Sequence, residues 1–122
     1  MTQFARTLSV LMLSLAIAAP ASAASPIEAA FGNTIVSTYP SGRSTKLWLK
    51  RDGSYVGQRT NGKRTSGRWT LKGGELCLRQ TGPVAIPLRF CSPIPRVKVG
   101  ASWQGKSPKG EPLRNRLVRG RV

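Results

Sequence analysis

The chain predicts an all-β domain, a small antiparallel meander or barrel of about eight strands with a short N-terminal helix and one disulfide. Three observations point there. Turn signals recur between short β-prone runs: Pro40-Ser41-Gly42, Asp52-Gly53, Asn61-Gly62, Gly73-Gly74 and Lys109-Gly110. Within several runs apolar and polar residues alternate, the period of a strand with one buried face. The only two cysteines, Cys77 and Cys91, follow a segment that reads as an export signal, so a disulfide is the expected fate of their thiols.

That segment has Arg6 ahead of the apolar run "LSVLMLSLAIAA", with Ala-Ser-Ala at residues 21 to 23. Residues 1–24 are therefore expected to be a signal peptide and 25–122 a single β-barrel-like domain, periplasmic or secreted. No cysteine follows the run to carry a lipid, and no second long apolar stretch offers a membrane span. The remaining domain is small, and closing a loop of about 15 residues would stabilise it by about 3 kcal/mol in the chain-entropy model.

Along the domain, Ser25, Pro26, Glu28 and Gly32 match the cap, first-turn and stop positions of a short helix from Pro26 to Phe31. The expected strands are Thr34–Tyr39, Thr45–Lys50, Ser54–Thr60, Gly67–Lys72, Glu75–Gln80, Leu88–Ser92, Ala101–Lys106 and Leu113–Arg119. Closing them into a barrel would remove both sheet edges.

Two-residue hairpin loops would fix the register. A loop at Asp52-Gly53 sets Lys50 opposite Tyr55 and Trp48 opposite Gly57, where the indole would cover the bare glycine. A loop at Asn61-Gly62 sets Tyr55 opposite Arg68, although "RTNGKRTSG" also fits a longer loop that would shift the register. A loop at Gly73-Gly74 sets Arg68 opposite Arg79, and a direct Cys77–Cys91 pair sets Arg79 opposite Arg89.

One face then gathers Leu47, Leu49, Val56, Trp69, Leu71, Leu76, Leu78, Leu88 and Phe90 as core. The other gathers Lys46, Trp48, Lys50, Tyr55, Arg59, Arg68, Arg79 and Arg89.

The row Lys50, Tyr55, Arg68, Arg79, Arg89 is the sharpest candidate for chemistry. Like charges opposed across strands disfavour the sheet slightly, and a counter-anion would relieve them. Arginine forks fit phosphate and carboxylate, and Tyr55 and Trp48 would stack on a sugar or base. A plainer account, favoured on general grounds, is that these are solvated side chains on a wet face. The C-terminal cluster Arg114, Arg116, Arg119 and Arg121 reads more readily as a closing strand and solvated tail, and Lys63 and Arg64 as turn charges.

Composition argues against catalysis. The chain has 20 Lys and Arg, four Asp and Glu and no His, a formal net charge of +16 that falls to +15 when Arg6 leaves with the signal. Glu28, Asp52, Glu75 and Glu111 each fall at a cap or turn, and without histidine there is no Ser-His or Cys-His pair. Two thiols alone make no zinc site, and no metal or cofactor is expected. Trp69, Phe90 and Trp103 would line an interior cavity if one exists, but so short a chain favours filling.

At "FGNTIVSTYPSGRSTKLWLKRDGSY…SGRWTLKGGELCLRQ…RFCSPIP" the chain resembles uncharacterised small exported proteins of Gram-negative bacteria that look like lipocalin-like or calycin-like barrels. The resemblance spans most of the domain, and it implies a fold and no activity. The expected function is an exported binding or interaction module, not an enzyme, that engages an anionic partner: lipid headgroup, polysaccharide or acidic protein. An alternative is an inhibitor of a secreted hydrolase, with the proline-stiffened stretch Gln80 to Leu88 as its inserted loop. Single-stranded nucleic-acid binding ranks third, because export argues against it and the strand pattern lacks the helix of an OB-fold.

Overall fold

A computed structural model describes residues 26–122, so the signal-peptide assignment to residues 1–24 lies outside the described residues. Eight strands form one antiparallel sheet: β1 Thr34–Thr38, β2 Ser44–Leu49, β3 Ser54–Gln58, β4 Arg64–Lys72, β5 Glu75–Gly82, β6 Phe90–Pro93, β7 Ser102–Lys106 and β8 Pro112–Val118. Each expected strand is present, with ends shifted by up to three residues. The strand order β6-β5-β4-β3-β2-β1-β8-β7 is a meander wrapped into a nearly closed barrel, in which β8 pairs with β1.

Closure, which would have removed both sheet edges, is not complete. The gap falls between β6 and β7, which share no hydrogen-bonded ladder. Four-residue β6 ends at Pro93, and Pro95 follows closely; neither ring nitrogen has a hydrogen to donate. Beyond it the chain crosses the end of the barrel, burying Ile94 and Val97 beside Ile27 and Ala30, and is tied down where Val97 N donates to Pro26 O at 3.0 Å and Gly100 N to Leu117 O at 2.8 Å.

The expected helix shrinks to a single 3₁₀ turn, Glu28–Ala30. No side chain caps it, and Glu28 instead meets Arg51. Its value is apolar, since Ile27 and Ala30 plug the barrel end.

Turn chemistry decides the register. At Gly73-Gly74 both residues have positive φ, as a two-residue type I′ turn demands, and β4 and β5 pair as expected: Trp69 opposite Leu78, Arg68 opposite Arg79. At Asp52-Gly53 and Asn61-Gly62 only the glycine has positive φ, and the turns are three residues long. Lys50 N donates to Ser54 O at 2.9 Å, and Arg59 N to Lys63 O at 2.8 Å. Pro40-Ser41-Gly42 and Pro108-Lys109-Gly110 close the same way, Tyr39 N to Arg43 O and Ser107 N to Glu111 O, each at 2.8 Å.

The longer turns slip β3 by one residue against both neighbours, which exchanges its faces. Tyr55 now opposes Gly67 and is buried, whereas Val56 turns outward and opposes Trp48. Assigning Tyr55 to the wet face and Val56 to the core was therefore wrong, as was placing Trp48 over Gly57. The covering of a glycine by an aromatic ring does occur, but between Tyr55 and Gly67: a Cβ added to Gly67 would lie 2.6 Å from the tyrosine ring and 2.1 Å from Arg79 O. Leu88 was also misassigned, because it precedes β6 and is 77% exposed.

Leu49, Tyr55, Leu76, Ile35 and Leu117 join Ile27, Ala30, Ile94 and Val97 in the core, with Leu47, Trp69, Leu71, Leu78 and Trp103 packed against it. The disulfide forms as expected: Cys77 and Cys91 lie directly opposite on β5 and β6, bonded at 2.07 Å.

Two stability outcomes follow. Replacing both cysteines by alanine should lower the unfolding free energy by about 3 kcal/mol in urea titrations followed by circular dichroism. Gly67→Ala should cost about 1–3 kcal/mol in the same titration, because the backbone oxygen facing it has nowhere to go.

Candidate anion-binding face

Outward residues of β2 to β5 fall into cross-strand rows. One row runs Lys50, Ser54, Arg68, Arg79, so the slip of β3 leaves Lys50, Arg68 and Arg79 where the sequence put them and exchanges Tyr55 for Ser54. Lys50, Arg68 and Arg79 are exposed. Arg89 stands outside the ladder, because β6 pairs with β5 only from Phe90 onward. Of the candidates Lys50, Tyr55, Arg68, Arg79 and Arg89, the structure thus aligns Lys50, Arg68 and Arg79; it places Tyr55 inside the barrel and Arg89 in the loop before β6.

A single carboxylate enters this row. Asp52 Oδ1 accepts from Ser54 Oγ at 2.6 Å and Ser54 N at 2.9 Å. Those bonds, helped by Lys50 and Arg68 nearby, hold the Asp52 carboxyl below the usual range. Arg68 leans toward the same turn, donating from Nη2 to Asp52 O at 3.4 Å. Asp52 therefore offsets part of the charge of Lys50 and Arg68.

A second row went unrecognised in the sequence: Arg64, Gln58, Lys46, Val36, Arg116 and Ser102 oppose one another in turn across β4, β3, β2, β1, β8 and β7. It carries three cations and no carboxylate. Only the pairing of β8 with β1 brings Arg116 beside it, and no local pattern announces that pairing.

Trp48 faces outward but is not free to stack on a ligand. It is 6% exposed, with the Arg64 and Arg121 guanidinium carbons 5.3 and 6.0 Å from its ring centre. Its Nε1 donates to Thr34 Oγ1 at 2.9 Å. The same hydroxyl donates to Gly120 O at 2.7 Å and accepts from Val122 N at 3.1 Å, binding the C-terminal residues across the indole.

The interior is not wholly filled. A cavity of about 280 Å³ is lined by Ile35, Leu47, Leu78, Phe90, Trp103 and Leu113, among others, and reaches Tyr39, Arg59, Lys106 and Pro108 at one end of the barrel. Ser37 Oγ donates to Asn115 Oδ1 at 2.6 Å within its wall. Phe90 and Trp103 therefore line a cavity, as the sequence allowed. Trp69 does not: it packs on Phe31, with ring centres 5.8 Å apart, and donates Nε1 to Lys50 O at 2.7 Å. Burial raises the Tyr55 phenol above its ordinary range.

Glu75 lies close to both cysteine sulfurs, but the sulfurs are bonded to each other, which leaves no thiolate to ligate a metal. Compared with models of known families, with curated proteins and with solved structures, the chain matches none.

Asp52 and Tyr55 set the expected pH response. The folded-state carboxyl of Asp52 titrates lower than the unfolded one, so its contribution is present above the unfolded value and lost as pH falls through the folded value. Tyr55 titrates higher when folded, so stability should fall as pH rises past about 10, where the unfolded phenol ionises first. Stability against pH, measured for Asp52→Asn and Tyr55→Phe, should flatten on the acid and alkaline sides respectively.

Proposed function

We propose that this protein is an exported binding module that engages an anionic partner through the outer face of β4 and β5. The observation that supports this reading is the direct opposition of Arg68 and Arg79 in a row that also holds Lys50, against the single carboxylate of Asp52. Among the described residues the only ion pair is Arg51–Glu28 at 2.5 Å, and both its partners are exposed. Most of the cations on this barrel thus remain available to an external anion. Phosphate and carboxylate each accept paired N–H bonds from a guanidinium, and two guanidiniums side by side favour a ligand with charge at repeated positions.

A second reading rests on the cavity. Its apolar wall and the Arg59 and Lys106 positions at its mouth suit a small amphiphile with a negative head. The volume lies at the lower edge of the usual range for ligand sites, about 300 to 1,000 Å³. A short acyl chain would fit better than a drug-sized molecule.

Retention on immobilised heparin tests the first reading. An Arg68→Ala/Arg79→Ala variant should bind soluble polyanions about tenfold more weakly, with a shallower dependence on salt, while keeping its unfolding midpoint. Equal retention of the variant and the parent chain would dismiss the face. Displacement of a fluorescent acyl carboxylate, unaffected by that double substitution and lost in Leu113→Arg, would speak for the cavity.

A further inference from the structure

The segment between β5 and β6, Pro83 to Arg89, displays apolar side chains at every second position from 84 to 88, whereas the other exposed large apolar residues among those described, Val99 and Val122, stand singly. Leu88 is 77% exposed and Val84 67%, the two most exposed large apolar residues among those described, and Ile86 is 40% exposed. This display is braced. Gln80 Nε2 donates to Val84 O and Ile86 N donates to Gln80 O, both at 3.0 Å, with Pro83 and Pro87 restricting the backbone between. Three aliphatic groups held in water by a stiffened loop amount to an unfilled contact.

Charge around the loop narrows what would fill it. From Leu76 to Gly110 the chain contains no Asp or Glu; of its cations Arg89, Lys106 and Lys109 lie at the loop's end of the barrel, whereas Arg96 and Lys98 lie in the crossing at the plugged end. The turns at the same end of the barrel bring Arg43, Arg59, Lys63 and Lys109, with Glu111 as the one carboxylate there. Glu28, Asp52 and Glu75 all sit at the opposite, plugged end. Cations stand at both ends, but three carboxylates lie at the plugged end and one at the loop's end, so the end that exposes aliphatic groups keeps more of its positive charge uncompensated.

We propose that this end docks on an anionic bilayer surface: Val84, Ile86 and Leu88 enter the boundary between headgroups and acyl chains, and Arg89 with the neighbouring turn cations binds lipid phosphates. The inference rests on the anionic-partner reading and adds a second contact to it: the row of Lys50, Arg68 and Arg79 lies toward the plugged end, by the Asp52 turn, and the docking surface is the open end. A soluble polyanion would use the cations and leave the aliphatic tips in water; a neutral apolar groove would take the tips but gain nothing from the surrounding charge. An anionic interface uses both at once, since apolar burial and headgroup attraction add. The docked end is also where the cavity reaches Arg59 and Lys106, so an amphiphile leaving the membrane would meet the cavity without crossing water.

Co-sedimentation with vesicles of phosphatidylcholine alone, and of phosphatidylcholine containing phosphatidylglycerol, tests the proposal. The chain should bind only the anionic vesicles. Val84→Ser/Ile86→Ser/Leu88→Ser should weaken that binding on the order of tenfold or more while leaving heparin retention unchanged. Leu88→Trp should gain a blue-shifted emission on anionic vesicles, quenched by brominated acyl chains, in a protein whose fold is undisturbed. Unchanged vesicle binding by the triple serine variant, or an emission from the Leu88→Trp variant that stays solvent-like on vesicles, overturns membrane docking. Heparin retention without vesicle binding overturns it too but spares the anionic-partner reading, whereas failure of both assays removes both. Inhibition of a secreted hydrolase that the serine variant loses, without vesicle binding, assigns the loop to a protein partner instead.

Discussion

The parity of the turns governs this barrel. Side chains on a strand alternate sides, so one residue more or less in a connection decides which half of the next strand meets the core. Here two three-residue turns flank β3, and their slips cancel across it. Lys50 and Arg68 end in the same outward row as they would with two-residue turns, and only the strand between them turns over. The cost of reading both turns short is thus confined to Ser54–Gln58, and the arginine row survives it.

How legible the molecule was in its sequence follows from the same constraint. Strand number, the Gly73-Gly74 register and the disulfide were readable, because two adjacent glycines and two lone cysteines leave few alternatives. The parity of β3 was not, because "SYVGQ" puts Tyr55 and Val56 side by side and either one suits a core. The deciding information is spread over distant positions. Gly67 leaves room for the Tyr55 ring, and the turns ending in glycine at Gly42, Gly53, Gly62 and Gly110 share one pattern, a third loop position with positive φ. Read together, the triplets "PSG", "RDG", "TNG" and "PKG" carry the signal that Asp52-Gly53 and Asn61-Gly62 obscured singly. The row through Arg64, Lys46 and Arg116 needed closure of β8 on β1, which is a tertiary fact with no local signature.

The two ends of the barrel are closed differently. At the plugged end the chain closes on itself through apolar residues from three separate segments: Ile27 and Ala30, Ile94 and Val97, and Leu117. Asn33 Oδ1 accepts from Gly120 N at 2.8 Å, and Thr34 Oγ1 ties the last residues over Trp48, so the backbone groups of Gly120 and the Val122 N–H find partners. Such an end gains from being filled and rigid.

The opposite end has no comparable plug among the described residues. Its turns are polar and basic, its longest loop carries aliphatic groups outward, and the cavity reaches it beneath. A domain this small has little apolar area to spare, since burial in its core is the main term holding it together. Leaving Val84, Ile86 and Leu88 in water forgoes part of that term, so the open end has traded stability for surface. The arginine row on β4 and β5 makes the same trade in charge, setting like groups against each other where neutral ones would pair better. Both departures from the most stable arrangement are what the proposed contacts with an anionic partner would use.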